Sequence, residues 1–288
     1  MSVLSNTYQN INLDFNIKSV TSNINKIQKN CIFVNLQNHS FFKIDDAIKD
    51  HVIIVSSSPI LDKSIYSIVV PNIKAEYIRL MKTLYNLNIN VPKLIGVLND
   101  DFLNYEKVIL DLYNNTTHDK ISFINDFEDI DIIYNSIYNY QRRNIKYIFV
   151  LFHSSEILDF EGLLRFDYLI LSKSSHTTFT KTLTSVDKLI RTNGIIIGNL
   201  DDFSDLSLQD NFIPFSFDTD SLYNIKNLTT HNKIITGELY KNKINLCEFL
   251  FCLTNYDYIY IIISLFILYD NEYQSINSAH IFFSKYIF

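Results

Sequence analysis

The sequence predicts an α/β protein, with a small N-terminal α/β domain over 1–70, a connecting helix over 71–92 and a mostly parallel sheet in a second domain over 93–288. Two observations carry this reading. The stretch 147–202 holds three apolar, β-rich runs at 147–152, 168–171 and 195–197, separated by about the dozen residues that a parallel crossover needs. Around them, β-branched runs alternate with segments of helical periodicity, the pattern of helices covering a parallel sheet. An apolar fraction of 47% over 288 residues is ample for one large core or two smaller ones.

Taken from the start, short strands are expected at 31–34, 52–55 and 67–70, with a short helix around 44–49. Ile73, Tyr77, Leu80, Met81 and Leu84 then recur at i, i+4, i+7, i+8 and i+11, one face of a helix that bridges the two domains. Val91-Pro92 ends that segment, because proline cannot continue a helix and pushes its predecessor to extended geometry. A strand starts at Leu94. A helix follows to about Tyr113, with Asp100 and Asp101 at its N-terminus, where a carboxylate caps free N–H groups. Ile130, Ile133, Ile137 and Tyr140 line one side of a further helix, read as a crossover on the sheet. Beyond Asp202 come strand-like runs at 211–217 and 233–239, then the apolar run 258–269. That run is only a dozen residues, whereas crossing a bilayer takes about 20. A buried helix is expected, with Ile261, Ile262, Leu265 and Leu268 inside.

Charge and cysteine usage narrow the function. The net charge of −6, with no basic cluster larger than Arg142-Arg143, disfavours nucleic acid, which requires a surplus of Lys and Arg on one face. Cys31, Cys247 and Cys252 show no C-x-x-C spacing, so neither a disulfide framework nor a zinc site is indicated. The first 15 residues lack the positive and apolar regions of a signal peptide, and a cytoplasmic protein is expected. The abundance of Ile, Asn, Lys, Tyr and Phe reflects AT-rich codons as well as structure.

An ordered series of short motifs resembles the central domain of the Mur ligases, which use ATP to add amino acids to the UDP-muramoyl precursor of peptidoglycan. It runs through Ser154 and Ser155 after a strand, the step Gly162, Leu163, Phe166, Asp167, Tyr168, a Thr/Ser-rich loop with His176, a helix with Lys188, and Asn199, Asp201, Asp202 closing a strand. The nearest likeness is to the ligase that adds the third residue, the UDP-N-acetylmuramoyl-tripeptide synthetase. In 19–37, Thr21 and Ser22 stand where the family's uridine-binding domain has the Asp and Ser of a D-S-R motif, although the loop that follows is shortened to Asn38, His39 and Ser40. Near the end, Asn255 matches the first Asn of G-x-F-N-x-x-N-x-L-A-A, and Tyr258 stands at the second. The resemblance covers two of the family's three domains, so the C-terminal Mur ligase domain is expected to be absent.

The departures from the family fall on its chemistry. Its phosphate-cradling I-G-V-T-G-T-N-G-K-T-T becomes Ile95, Gly96, Val97, Leu98, Asn99, Asp100, Asp101, Phe102, Leu103, Asn104, Tyr105. The strand survives, while the loop glycines, the lysine (now Leu103) and the hydroxyls that would bind ATP are gone. A triphosphate would meet Asp100 and Asp101 at a cost of about 1 kcal/mol per charge even in water-like dielectric. Where the family reads M-E-V-S-S-H, with the Glu on Mg²⁺, this chain has Leu151, Phe152, His153, Ser154, Ser155, Glu156, and a phenyl ring cannot ligate a cation. The family's T-N-L-S-R-D-H-L-D becomes Ser172, Lys173, Ser174, Ser175, His176, and Lys188 is the nearest match to a metal-bridging carbamylated lysine, its spacing about four residues short. His153 beside Ser154 lacks a G-x-S-x-G elbow and reads as structural.

The resemblance thus offers His176 and Lys188 on the catalytic side, Gly96, Asp100, Asp101, Leu103, Asn199 and Asn255 on the nucleotide side, Thr21 and Ser22 on the substrate side, and no metal ligand. The expected function is that of a truncated, degenerate Mur-ligase homologue without ligase activity and without a cofactor. ATP and Mg²⁺ are implied if activity is retained, and a UDP-muramoyl peptide is the implied partner. The alternatives are a working ligase subunit with a separately encoded C-terminal domain, and a membrane-associated structural protein.

Overall fold

The computed structural model describes residues 16–37, 44–85, 92–98, 104–116, 119–125, 130–153, 162–172, 183–207, 209–252 and 255–273. The strands are β1 (Ser19–Thr21), β2 (Cys31–Val34), β3 (Val52–Ser56), β4 (Tyr66–Val69), β5 (Lys93–Leu98), β6 (Ile121–Ile124), β7 (Tyr147–Phe152), β8 (Phe166–Leu171), β9 (Ile190–Asn199), β10 (Phe212–Ser216), β11 (Tyr223–His231), β12 (Ile234–Lys241) and β13 (Ile244–Cys252). The helices are α1 (Ile73–Tyr85), α2 (Tyr105–Thr116), α3 (Ile130–Arg142), α4 (Leu183–Leu189) and α5 (Tyr258–Tyr273). The chain divides into two compact units, one of 1–91 with 126–143, the other of 92–125 with 144–288.

In the first unit β1 to β4 form a parallel sheet in sequence order. β2 and β3 are buried along their whole length, as continuous apolar runs are when both faces of a parallel sheet are covered. The three predicted strands are present within a residue of their expected bounds. Instead of a helix over 44–49 there is a turn in which Asp45 Oδ1 accepts from the Ala47 amide, followed by a single 3₁₀ turn at Lys49–His51. A side-chain acceptor this close offers the backbone an alternative to the helical ladder. α1 buries Tyr77, Ile78, Leu80 and Met81. α3, expected on the larger sheet, belongs to this unit, where its Tyr138 ring meets Tyr85 of α1 at 5.5 Å between centroids.

The second unit is built on a nine-stranded sheet in the order β13-β12-β11-β10-β9-β8-β5-β7-β6. Every pair from β6 across to β11 is parallel, so the four strands expected at its centre lie side by side in parallel. The register sets Leu94 opposite Ile148, Ile95 opposite Tyr168, and Tyr168 opposite Ile195. β5 sits between β7 and β8, so connections run to opposite sides of it, and open α/β sheets bind ligands at the carboxyl ends of strands around such a point.

β11 to β13 form an antiparallel meander joined by two tight turns, Asn232-Lys233 and Asn242-Lys243. All four residues have positive φ, between 49° and 68°, the geometry of the two-residue turns that match strand twist. The expected helix begins at Tyr258 and runs to Tyr273. α5 is apolar all round from Tyr258 to Tyr269. Ile261, Ile262, Leu265 and Leu268 are fully buried in the main core together with residues of β5, β7 and α2, as a helix without a polar face requires. Among the described residues no helix is long and apolar enough to cross a membrane.

Candidate functional site

The carboxyl ends of β5, β7 and β8 are where a phosphate and metal site would lie, and Phe152, which ends β7, is buried. Gly96 is buried in the middle of β5. A Cβ there would come within 2.9 Å of Leu169 Cδ1 and of Phe166 Cδ2. Its small size makes room for these neighbouring side chains. Phe166 in turn stacks on Phe152, ring centroids 5.6 Å apart and planes 7° from parallel. Phe152, at the position where the resemblance implies a magnesium carboxylate, is only 3% exposed. Just beyond β8, the buried Ser172 donates through Oγ to the Leu98 carbonyl at 2.6 Å, tying together the ends of two strands. Asp167, from the same matched motif as Phe166, accepts from the Leu94 amide and from Arg191, each at 2.8 Å, at the opposite end of the sheet.

α2 begins at Tyr105, and its cap is Asn104, whose Oδ1 accepts from the Lys107 amide at 3.1 Å while its own amide donates to the Tyr258 phenol at 3.2 Å. Asp100, Asp101 and Leu103 lie outside the described residues, as do Asn38, His39, Ser40, Ser154, Ser155, Glu156 and the 173–176 run with His176. Lys188 is exposed in the last turn of α4. Magnesium does not fit the residues present at β7: a stacked ring occupies the ligand position. Among the described residues no group of three or more acidic, His or Cys side chains is arranged to hold a metal.

In the first unit Thr21 is buried at the end of β1. Its Oγ1 accepts from the Asn23 amide at 3.1 Å and donates to Asp131 Oδ2 at 3.4 Å, and Lys26 approaches the same oxygen at 3.6 Å. These contacts occupy the hydroxyl locally. Ser22 beside it is half-buried.

The second unit carries an open cleft of about 660 Å³, lined by Asn199, Asp201, Asp202 and Asp218 together with the rings of Phe217, Tyr256 and Tyr260 and by the middle of β11. It forms where β9 and β10 end. Asn199, 2% exposed, donates through Nδ2 to Asp202 at 2.9 Å and accepts from the Asp201 amide. The Asp201 carboxylate accepts from Ser216 Oγ at 2.7 Å, from the Phe217 amide at 3.1 Å and from the Thr219 hydroxyl. Burial pushes the Asp201 carboxyl upward, but those hydroxyl and amide donors outweigh it and hold the group below the usual range. Asn255, at the start of α5, accepts through Oδ1 from the Asp257 amide at 2.9 Å and so turns the chain into the helix. The structure therefore brings Asn199 and the residue after Asn255 to one cleft, and leaves Gly96, Lys188 and Thr21 elsewhere. The matched N-x-D-D step marked one wall of this cleft in the sequence. Ser216, Thr219 and Tyr260 carried no motif, since only the fold sets them against Asp201 and Asp202.

No protein-family profile matches the chain, and no curated protein matches it in sequence. Its structure is similar to solved ones. The structure of a UDP-N-acetylmuramoyl-L-alanyl-D-glutamate--2,6-diaminopimelate ligase superposes with a TM-score of 0.69 at 12% identity, covering 93% of this chain and 63% of that one. MurF from Acinetobacter baumannii gives 0.63 at 9% identity, over 98% and 67%. MurF ligase from Thermotoga maritima, solved in complex with ADP, gives 0.57 at 14%, over 88% and 63%. The chain thus has the Mur-ligase fold and spans about two thirds of the length of these ligases.

Proposed function

We propose that this chain is a degenerate homologue of the ATP-dependent ligase that adds the third amino acid to the UDP-N-acetylmuramoyl dipeptide in peptidoglycan synthesis, and that it has no ligase activity of its own. The fold supports the ligase ancestry, and the third-residue reading rests on the ordered motifs and on the likeness to the diaminopimelate ligase. The observation that carries the loss of activity is the Phe152–Phe166 stack in the core beneath β5. Phosphoryl transfer depends on metal, loop and lysine acting together, so filling the metal-ligand position with a phenyl ring removes a part for which the others cannot substitute. Calorimetry of the purified chain with ATP·Mg²⁺ and with a UDP-muramoyl peptide, beside a measurement of amino-acid-dependent ADP release, tests the reading. The expected result is no turnover and no magnesium-dependent nucleotide heat. Clear turnover by the unmodified chain overturns it.

A further inference from the structure

The cleft at the ends of β9 and β10 has a chemistry that the ligase reading does not use. Asp201, Asp202 and Asp218 place three negative charges on its lining against the single positive charge of Lys226. That ammonium lies over the Tyr240 ring, 5.0 Å from its centroid. Asp201 is saturated by the donors of Ser216, Thr219 and Phe217, but among the described residues the Asp202 carboxylate accepts only from Asn199, through Oδ2. A second, independent feature faces the same space. Tyr260 lines the cleft while only 8% exposed, and its hydroxyl makes no hydrogen bond among the described residues. Its ring is fixed edge-on against Phe217, centroids 5.4 Å apart. The ring is buried, while the hydroxyl oxygen reaches the open side of the cleft. Its hydroxyl can accept as well as donate, whereas an ionised carboxylate only accepts.

We propose that this cleft binds a small organic cation, a primary amine or polyamine, whose ammonium donates to the free oxygen of Asp202 and to the Tyr260 hydroxyl while its alkyl chain lies against Phe217 and Tyr256. The volume of about 660 Å³ falls in the range of small-molecule sites, roughly 300 to 1,000 Å³. A cation over aromatic faces gains further electrostatic attraction. A polyphosphate would meet net negative charge here. A bare metal ion would find Asp201 already saturated. The proposal does not rest on the ligase reading and stands or falls separately from it.

The test is titration calorimetry of the full chain with spermidine at low ionic strength, with adenosine and MgCl₂ as parallel arms. Saturable one-to-one binding of spermidine is expected. Asp202→Asn, which keeps an acceptor for Asn199, should weaken it about tenfold by removing a charge-assisted bond, and Tyr260→Phe about threefold by removing only the hydroxyl. Asp187→Asn, an exposed acid on α4, should leave it unchanged. Thermal melts establish that each variant is folded, and if Asp202→Asn is not, Tyr260→Phe and Asp218→Asn carry the comparison. An unsaturable isotherm, equal losses with Asp187→Asn, or binding confined to the adenosine or MgCl₂ arm overturns the proposal.

Discussion

The rings of Phe152 and Phe166 lie 5.6 Å apart and 7° from parallel, and the Phe166 ring in turn packs over the Cα of Gly96. Three residues at positions aligned with separate motifs of the family thus form one apolar contact spanning β5, β7 and β8. Each was matched to a different feature of the family, and in this structure they depend on one another.

Restoring the missing carboxylate should therefore harm the protein without reviving it. Phe152→Glu removes a buried ring, a loss of about 3 to 5 kcal/mol for truncations of this kind, and adds an unpaired carboxyl to an apolar site. Urea unfolding is expected to show a large fall in midpoint, with ADP release still at background. A variant as stable as the parent would mean that the stack is not part of the core.

Gly96→Ala tests the other side of the same contact. The added methyl has to displace Phe166 and Leu169, and overpacking of this kind costs about 1 to 3 kcal/mol. Gly162 offers a comparison with a different mechanism: nothing lies within 4 Å of its Cβ position, but its φ is +78°. Alanine there should cost about 1 to 2 kcal/mol through backbone strain alone. Combining Phe166→Leu with Gly96→Ala should recover part of the first loss and none of the second, as read by thermal melting of the double variants.

Asp201 predicts an acid-sensitive contribution to stability. Its carboxyl is held below the usual range by Thr219, Ser216 and two backbone amides against the opposing effect of burial. The unfolded chain therefore takes up this proton at higher pH than the folded one. The stabilisation is complete above the ordinary aspartate range and is lost as pH falls through the lower, folded value. Asp201→Asn should destabilise by about 1 to 3 kcal/mol at neutral pH, and its deficit relative to the parent should shrink on acidification. Parallel denaturant titrations across that range provide the check, and a deficit that grows with acid would contradict the assignment.

Cys31 and Cys247 should resist alkylation in the folded chain. Both are buried, and burial pushes the Cys247 thiol up to about 12 and raises that of Cys31. The thiolate is the reactive form, so iodoacetamide at mildly alkaline pH is expected to label neither until urea is added, as followed by mass spectrometry. Rapid labelling of Cys247 under native conditions would mean that β13 opens away from the core.

What the sequence determined by itself was the part of the fold written in local periodicity. The short, β-branched or aromatic apolar runs of β2, β3, β7 and β8 read as strands buried on both faces, and alternation with helices pointed to a parallel sheet. α5 was legible because a helix apolar on every side has to be inside. The motif order from Gly162 to Asp202 pointed to the fold for the same reason, being a sequence of strand ends and turns. The Asn-Lys pairs at 232–233 and 242–243 were also available as hairpin signals, although Asn-Lys is a weaker one than Asn-Gly. Only the tertiary structure decided the rest. Gly96 reads as the remnant of a phosphate loop until Phe166 is seen over it. The helical period of α3 says which face is apolar but not which surface covers it, and packing against α1 made it part of the first unit. The cleft draws on residues from 199 to 260, so no local pattern could announce it. Asp202 and Tyr260 face the same space because β9 ends where α5 begins, a relation set by side-chain packing between segments far apart in the chain.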